Sequence, residues 1–459
     1  MDSQTIVAPM TPMGVSAVAA LRVSGTHVRD VVRRLFGDKS AEKLKPREAC
    51  LSTARDPQTG KIIDSLLYIY FAAPNSYTGE DVLELYPHGN PLIVRDLLQA
   101  IRSIDGVRLA EPGEYTRRAF LNGKMDLTQA ESVADVIHSA NRAELENAHR
   151  LLSGALSKKI ATLTTQVKDI SARLELDVDF AEEEADPDFA GWQEKFENIR
   201  ESIKSILNSF RGKANLSRLP LAVLYGAPNA GKSSLVNALL GEDRVLVSNV
   251  PGTTRDFVEV RLFLDGGEIR LVDTAGIAEH ATDELDALSM KKSREILEEA
   301  DMKILVLDGN NSVAQNNGSV ILSEAQAKSK NLKPDFVVVS KCDLKTATPN
   351  SEFRIPNSLC ISSKTGAGLT ELKRAMNATL FKKQDNQEDL WITSEREKAC
   401  LEDALAGVDR VLDLLHKNPA VELLAFEMQL VRRALQSITG EISSEDILQS
   451  IFAGFCIGK

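Results

Sequence analysis

Apolar residues in the middle of the chain and near its end recur every three or four positions. Leu145, Ala148, Leu152, Leu156, Ile160, Leu163, Val167, Ile170 and Leu174 form one such stripe, which predicts a long helix with a single buried face. Trp192, Phe196, Ile199, Ile203, Ile206 and Phe210 predict a second helix. The period resumes over residues 395–438 with Leu401, Leu405, Val408 and Leu412, then Leu424, Met428, Val431 and Leu435. Neither helical block can bury its stripe alone, so the two are expected to form one bundle. The stretch between them, near 216 to 380, is then an inserted domain.

Two other regions carry a different pattern. Within residues 1–120, the runs 5–8, 17–23, 66–71 and 82–85 read as strands, and 27–35 and 91–104 as helices. That mixture predicts a compact α+β domain. Residues 216–380 alternate strand and helix, as a parallel sheet with crossover helices requires. There the runs 257–264 and 268–272 flank the turn Asp265-Gly266-Gly267, a hairpin, and 303–307, 336–339 and 359–362 supply further strands. The acidic stretch 177–188, broken by Pro187, reads as a solvated connection. The fold class expected is therefore multidomain. It comprises an α+β domain over 1–120, a helical bundle from 121–215 and 381–459, and an α/β domain inserted over 216–380.

The inserted domain holds the clearest chemistry. The apolar run 221–225 reads as a buried strand and 235–240 as part of a helix. Between them stand Gly226-Ala227-Pro228-Asn229-Ala230-Gly231-Lys232-Ser233-Ser234, with the spacing of a phosphate-binding loop. Glycines let the backbone wrap an anion with its N–H groups inward, and the helix N-terminus adds positive potential. Lys232 can then reach β- and γ-phosphates, and the Ser233 hydroxyl can ligate Mg²⁺.

Four more motifs follow in order. Pro251-Gly252-Thr253-Thr254-Arg255-Asp256 places a threonine where a second Mg²⁺ ligand is needed. Asp273-Thr274-Ala275-Gly276 ends a strand with an acid for the metal's outer shell and a glycine N–H for the γ-phosphate. Ser340-Lys341-Cys342-Asp343 places a carboxylate that accepts from guanine N1–H and N2–H, donors that adenine lacks there, and Ser362-Ser363-Lys364 forms the loop beneath the base. Five motifs in this order imply a GTPase. The residue after Asp-x-x-Gly is Ile277, not the glutamine that orients water in Ras-like enzymes, so hydrolysis needs another arrangement. The side-chain carbonyl of Asn229 lies close to the phosphates, either as a turn-stabilising group or as a functional one.

Composition narrows the partners. A net charge of −11 over 459 residues excludes a global basic field, so RNA contact must come from a local patch or another protein. Five scattered cysteines, never spaced as C-x2-C, point to reduced thiols in a cytosol and not to a disulfide framework or zinc site. No apolar run approaches the ~20 residues that span a bilayer, and the opening residues have neither a signal-peptide nor a transit-peptide pattern. A cytoplasmic location without membrane contact is expected. Polar clusters at 22–25, 75–81 and 122–126 read, from composition alone, as turns and caps.

Taken together, the blocks closely resemble the MnmE (TrmE) family of tRNA-modification GTPases. The resemblance runs through Thr5-Ile6-Val7-Ala8, Leu21-Arg22-Val23-Ser24-Gly25, Asn75-Ser76-Tyr77-Thr78-Gly79-Glu80-Asp81, Pro112-Gly113-Glu114, Asn122-Gly123-Lys124, the phosphate loop, Gly252-Thr253-Thr254-Arg255-Asp256 and the closing Phe455-Cys456-Ile457-Gly458-Lys459. It implies an N-terminal domain that forms a homodimer and binds 5-formyltetrahydrofolate or a related tetrahydrofolate, at Arg22, Glu84, Lys124 and Lys459. It implies a FAD-dependent MnmG-like partner, in a heterotetramer, that helps modify carbon 5 of the wobble uridine of certain tRNAs. Potassium would be held by Asn229, Ser248, Val250 and Thr253, and Mg²⁺ by Ser233 and Thr254. The GTP site would also take in Ala230, Gly231, Ser234, Asn249, Pro251 and Gly252. Lys232, Thr254 and a water-orienting acid, Asp286 or alternatively Glu284, would carry hydrolysis.

Three positions depart from the family pattern: Ser340 replaces Asn and is shorter, Asp286 replaces Glu, and the histidine-glycine-glycine run reads His88-Gly89-Asn90. A competing class is an RNA- or ribosome-associated regulatory GTPase without modification chemistry, against which no KH-type Gly-x-x-Gly module follows the nucleotide domain. A third, a nucleotide-gated interaction protein, is separated by whether folate binds.

Overall fold

The structure is a computed structural model describing residues 4–179, 189–212, 219–227, 229–242, 258–273, 295–309, 334–344, 358–381, 390–417 and 421–458. It divides into two compact units: one of residues 1–137, 147–212 and 390–459, the other of 138–146 and 213–389.

The first unit begins with eight strands: β1 (Thr5–Pro9), β2 (Ser16–Val18), β3 (Leu21–Ser24), β4 (Ala49–Arg55), β5 (Ile62–Phe71), β6 (Val82–Tyr86), β7 (His88–Gly89) and β8 (Val107–Leu109). Six of them make one sheet in the order β4-β5-β6-β3-β1-β8, antiparallel except for the β1–β8 pair. Because side chains alternate along a strand, Val7, Leu21, Val23, Leu83 and Leu85 enter the core under α1 (Val28–Phe36) and α3 (Pro91–Arg102). Arg22, Ser24 and Glu84 lie on the opposite face with Ile6 and Ala8, which pack on Tyr115. Helix α3 starts where Asn90 accepts from the Leu92 amide and Pro91 takes the first position. The predicted strand 17–23 is in fact two, because Ala19 and Ala20 leave the ladder and the Ala19 amide donates to the Pro87 carbonyl. Strands β4 and β8 were not foreseen. Two further helices of this region are the short α2 (Asp38–Glu42) and α4 (Glu114–Leu121).

Helix α5 (Leu127–His138) is followed by α6 (Arg142–Leu152), α7 (Ala155–Asp179) and α8 (Phe189–Asn208). The stripe predicted as one helix is two. Gly154, at φ +83°, ends α6 in the left-handed region and its amide donates to the Leu151 carbonyl at 2.9 Å. The apolar step from Leu152 to Leu156 continues across that break, which is why the period hides it. Leu156, Ile160, Leu163, Val167, Ile170 and Leu174 are buried with Trp192, Phe196, Ile199 and Ile203 in one core.

The second unit contains β9 (Leu221–Tyr225), α9 (Lys232–Glu242), β10 (Val258–Leu264), β11 (Gly267–Asp273), β12 (Met302–Asp308), β13 (Phe336–Ser340), β14 (Ser358–Cys360) and α10 (Leu369–Leu380). The sheet order is β10-β11-β9-β12-β13-β14; only the β10–β11 hairpin is antiparallel. Residues 138–146 dock on that hairpin, with the Glu268 amide donating to the Ala140 carbonyl and the Arg142 amide to that of Gly266.

The bundle of the first unit is completed by α11 (Glu395–Leu415) and α12 (Val421–Thr439), whose Leu401, Val408, Leu424, Met428, Val431 and Leu435 share the core of α7 and α8. A last helix, α13 (Glu445–Ala453), precedes the tail. Among the described residues no helix is long and apolar enough to cross a membrane.

Candidate functional site

Parallel strands β9, β12 and β13 end on one side of their sheet, and the loops leaving those ends carry the motif residues, as expected for a ligand site in an open α/β sheet. Gly226 is at φ +149° and a Cβ there would lie 2.2 Å from the Val306 carbonyl oxygen, so strand packing alone demands glycine. Asn229 and Gly231 turn the loop at φ +61° and +92°. Lys232 is buried, and its Nζ donates to the carbonyls of Gly226 and Ala227 at 2.9 and 2.8 Å. This clamps the ammonium across the loop's mouth, where it adds positive charge to the inward amides. Ser233 Oγ donates to Asp273 Oδ2 at 2.6 Å, so a hydroxyl and a carboxylate from two elements meet at the start of α9. Hard oxygen donors of this kind suit Mg²⁺.

The guanine motif is wired to the same loop. Ser340 is buried and its Oγ donates to the Ala230 carbonyl at 2.6 Å. Lys341, at φ +62°, donates from Nζ to the Asn229 carbonyl at 3.0 Å and pairs with Asp308 at 2.6 Å. Asp343 accepts from Ser362 Oγ at 2.8 Å. That hydrogen bond, then a backbone amide and Lys364, hold its carboxyl below the usual aspartate value, so it is an anionic acceptor at neutral pH. A cavity of about 590 Å³ is lined by Gly231, Ser234, Lys341, Asp343, Ser363 and Lys364. Burial pushes the neighbouring Cys342 thiol up to about 11, which leaves it neutral. Ser248, Asn249, Val250, Pro251, Gly252, Thr253, Thr254, Thr274, Ala275, Gly276, Glu284 and Asp286 lie outside the described residues.

Ser340 therefore works as a strap between motif and phosphate loop. Ser340→Ala leaves the Ala230 carbonyl without this donor, and one hydrogen bond is worth about 1 kcal/mol. GTP affinity should fall about fivefold, read by displacement of a fluorescent GDP analogue, with the melting temperature of the isolated chain little changed. Unaltered affinity contradicts the strap.

A second polar site lies on the face of the N-terminal sheet opposite α1 and α3. Arg22 and Glu84 are direct partners across β3 and β6, and Arg22 Nε and Nη2 donate to Glu84 Oε1 at 3.1 and 2.9 Å. The guanidinium stands over the rings of Tyr77 and Tyr115, 4.9 and 5.7 Å from their centroids. Arg22 Nη1 is buried with no hydrogen-bond partner. Glu84 Oε2 accepts from the Tyr86 hydroxyl at 2.5 Å, and burial followed by that carboxylate pushes Tyr86 up to about 12. Lys124 does not join this pair; its Nζ donates to the Pro74 carbonyl at 3.0 Å and its stem lies against Gly79. Lys459 is outside the described residues, but Gly458 packs on the end of β1, where a Cβ would sit 2.3 Å from the Pro9 carbonyl oxygen.

The model described as "GTP-binding protein TrmE N-terminus" matches residues 5–124, and that described as "MnmE helical domain" matches residues 127–456. A tRNA modification GTPase MnmE from Syntrophus aciditrophicus is 37% identical over 466 residues, covering 100% of both chains. Those from Dichelobacter nodosus and Aquifex aeolicus are 38% and 36% identical, over 100% and 99% of this chain and 99% and 100% of their own. The chain belongs to the MnmE family. Among solved structures, the G domain of the T. maritima FeoB iron transporter covers 35% of this chain and 97% of its own, with 27% identity and a TM-score of 0.25.

Several residues of the N-terminal site escaped the sequence reading of this MnmE chain. Tyr77 and Tyr115 both present their rings to the Arg22 guanidinium, and the Tyr115 hydroxyl donates to the Arg22 carbonyl at 2.6 Å. Beneath them Arg118 donates to both Glu80 and Glu114, Arg108 pairs with Glu114 at 2.7 Å, and Ser24 donates to Glu80. Burial opposes the Glu114 charge, yet Arg108, the Glu111 amide and Arg118 together hold its carboxyl below the usual range. A usable signal existed: Glu114 and Arg118 are four apart on a helix that otherwise buries Tyr115 and Ala119.

Proposed function

We propose that this chain is a potassium-dependent GTP hydrolase that, in the cytoplasm and with a FAD-dependent MnmG-like partner, modifies carbon 5 of the wobble uridine of certain tRNAs with a tetrahydrofolate one-carbon unit. GTP hydrolysis within tRNA modification follows from membership of the MnmE family over the full chain, and that membership is the observation that carries the reading. The adjacent Ser233 hydroxyl and Asp273 carboxylate fit Mg²⁺ bound through Ser233 and Thr254. Asn229 presents an exposed side chain at the loop's turn, which suits a potassium site shared with Ser248, Val250 and Thr253. Bound there, a monovalent cation neutralises charge developing between the phosphates. Asp286, with Glu284 as the alternative, would orient the attacking water in place of the glutamine replaced by Ile277.

For the folate, the fit rests on Arg22. A buried guanidinium with one unpartnered N–H edge, beside a carboxylate and over an aromatic ring, suits a planar, polar pterin-like group. Lys124 and Lys459 would add positive charge for an anionic tail. The N-terminal domain would carry the homodimer, and the nucleotide domain over 216–380 stands as the insertion between helical parts 121–215 and 381–459.

Turnover of GTP measured in potassium and in sodium chloride at equal ionic strength tests this reading. It should rise at least tenfold in potassium, and Asn229→Ala should remove the difference. Equal rates in both salts would overturn the potassium assignment.

A further inference from the structure

An acidic chain that works on tRNA reaches phosphate through a local patch or through another protein, and the bundle carries one run of cations without acids. Residues 147–168 contain His149, Arg150, Lys158, Lys159 and Lys168 and no Asp or Glu. Lys158, Lys159, Thr162, Thr165, Gln166 and Lys168 are exposed along the first turns of α7. Several other cations of the bundle are matched: Arg200 with Asp409, Arg396 with Glu131, Arg410 with Glu427. By contrast, no described residue forms an ion pair with Arg150, Lys158, Lys159 or Lys168.

A second helix extends the patch. Ser171 Oγ approaches Met428 Sδ at 3.7 Å, while Ser157 bonds Thr128 at 3.0 Å and Gly440 packs on Leu127. Helix α12 therefore runs antiparallel to α7, its last turns beside the first turns of α7. Residues 428–440 hold Arg432 and Arg433 and no acid, and Arg432 Nε is buried without a hydrogen-bond partner. The nearby acids are engaged. Asp126 caps α5, Glu131 pairs with Arg396, and Glu441 accepts from Gln436. Asp169, next to Lys168, is the exposed acid on α7 that bounds the patch.

We infer that this face, the end of α6 and the first four turns of α7 with Arg432 and Arg433 beside them, holds the phosphate backbone of tRNA. The inference rests on the tRNA-modification reading. Cations already satisfied by carboxylates gain little from phosphate, whereas unpaired ones release counterions on binding. Fourteen helical residues span about 21 Å, room for several successive phosphates. Hydroxyls and amides between the lysines add sequence-independent hydrogen bonds, so the face would position tRNA and leave base reading elsewhere.

The test is a fluorescence-anisotropy titration of a labelled tRNA transcript with the full-length chain, from 50 to 200 mM KCl. Each phosphate contact contributes about 0.9 to the slope of log K against log salt. The triple variant Arg150→Ala, Lys158→Ala, Lys159→Ala should flatten that slope by about 2 to 3 and weaken binding at least tenfold near 100 mM salt. Its melting temperature and tRNA-free GTP turnover should match the parent. A variant of equal charge loss elsewhere, Arg34→Ala, Lys39→Ala, Lys43→Ala, should keep the parental slope. Unchanged binding by the first variant, or equal loss in the second, overturns the surface while the tRNA reading stands. A parent chain that shows no salt-dependent tRNA binding overturns the surface too, while the wobble-uridine modification in a strain lacking the gene tests the tRNA reading separately.

Discussion

Asp343→Asn should weaken GTP binding by about a hundredfold and admit xanthosine triphosphate in its place, since a charge-assisted pair of hydrogen bonds to the base is lost. The Asp343 carboxylate is held as an anion by Ser362 Oγ and a backbone amide, so both its remaining lone pairs can face donors. Guanine offers two N–H donors along that edge. Asparagine offers one acceptor and one donor, which mismatches guanine at its 2-amino group and matches the 2-carbonyl of xanthine. Competition binding with both nucleotides checks this. Retained preference for GTP would mean that another group reads the base.

The second large effect belongs to Arg22. Arg22→Met keeps most of the stem's volume but leaves Glu84 with no cation beside it, and breaking a buried pair costs about 3 to 5 kcal/mol. The N-terminal domain should melt several degrees lower, and calorimetric titration with 5-formyltetrahydrofolate should show no binding. Arg22→Met with Glu84→Gln removes the stranded charge, so stability should largely return while folate binding does not. Full recovery of binding in the double variant would place the folate elsewhere. The two readouts separate a structural pair from a ligand site.

How these sites could be read from sequence differed sharply. The phosphate loop, Asp273 and Asp343 were legible because contiguous motifs encode them and because each follows an apolar run that had to be a strand. The bundle stripes were legible because they repeat at 3.6 residues, and the members from Leu156 onward share one core, whereas Leu145, Ala148 and Leu152 at the start of the first stripe stay outside it. The break at Gly154 was hidden, since Leu152 and Leu156 keep the period across it. Strand β4 was missed because it is half-exposed, with Leu51 at the surface, and so lacks a clean alternation. The contacts of Arg22 with Glu84 and Tyr77 depend on strand register and on how a loop folds over, neither of which local spacing states. Ser340 looked like a weakened base contact. The structure gives its hydroxyl a different partner, the Ala230 carbonyl, which only the packing of β13 against the phosphate loop could reveal.

The most direct measurement is mass spectrometry of wobble uridine in tRNA from a strain lacking this gene, complemented with the parent chain or with Lys232→Ala. Lys232 clamps the phosphate loop through two carbonyls, so its loss should abolish GTP turnover without touching the N-terminal site. The parent should restore the carbon-5 modification and Lys232→Ala should not. Equal restoration by both would contradict a GTPase whose hydrolysis serves tRNA modification.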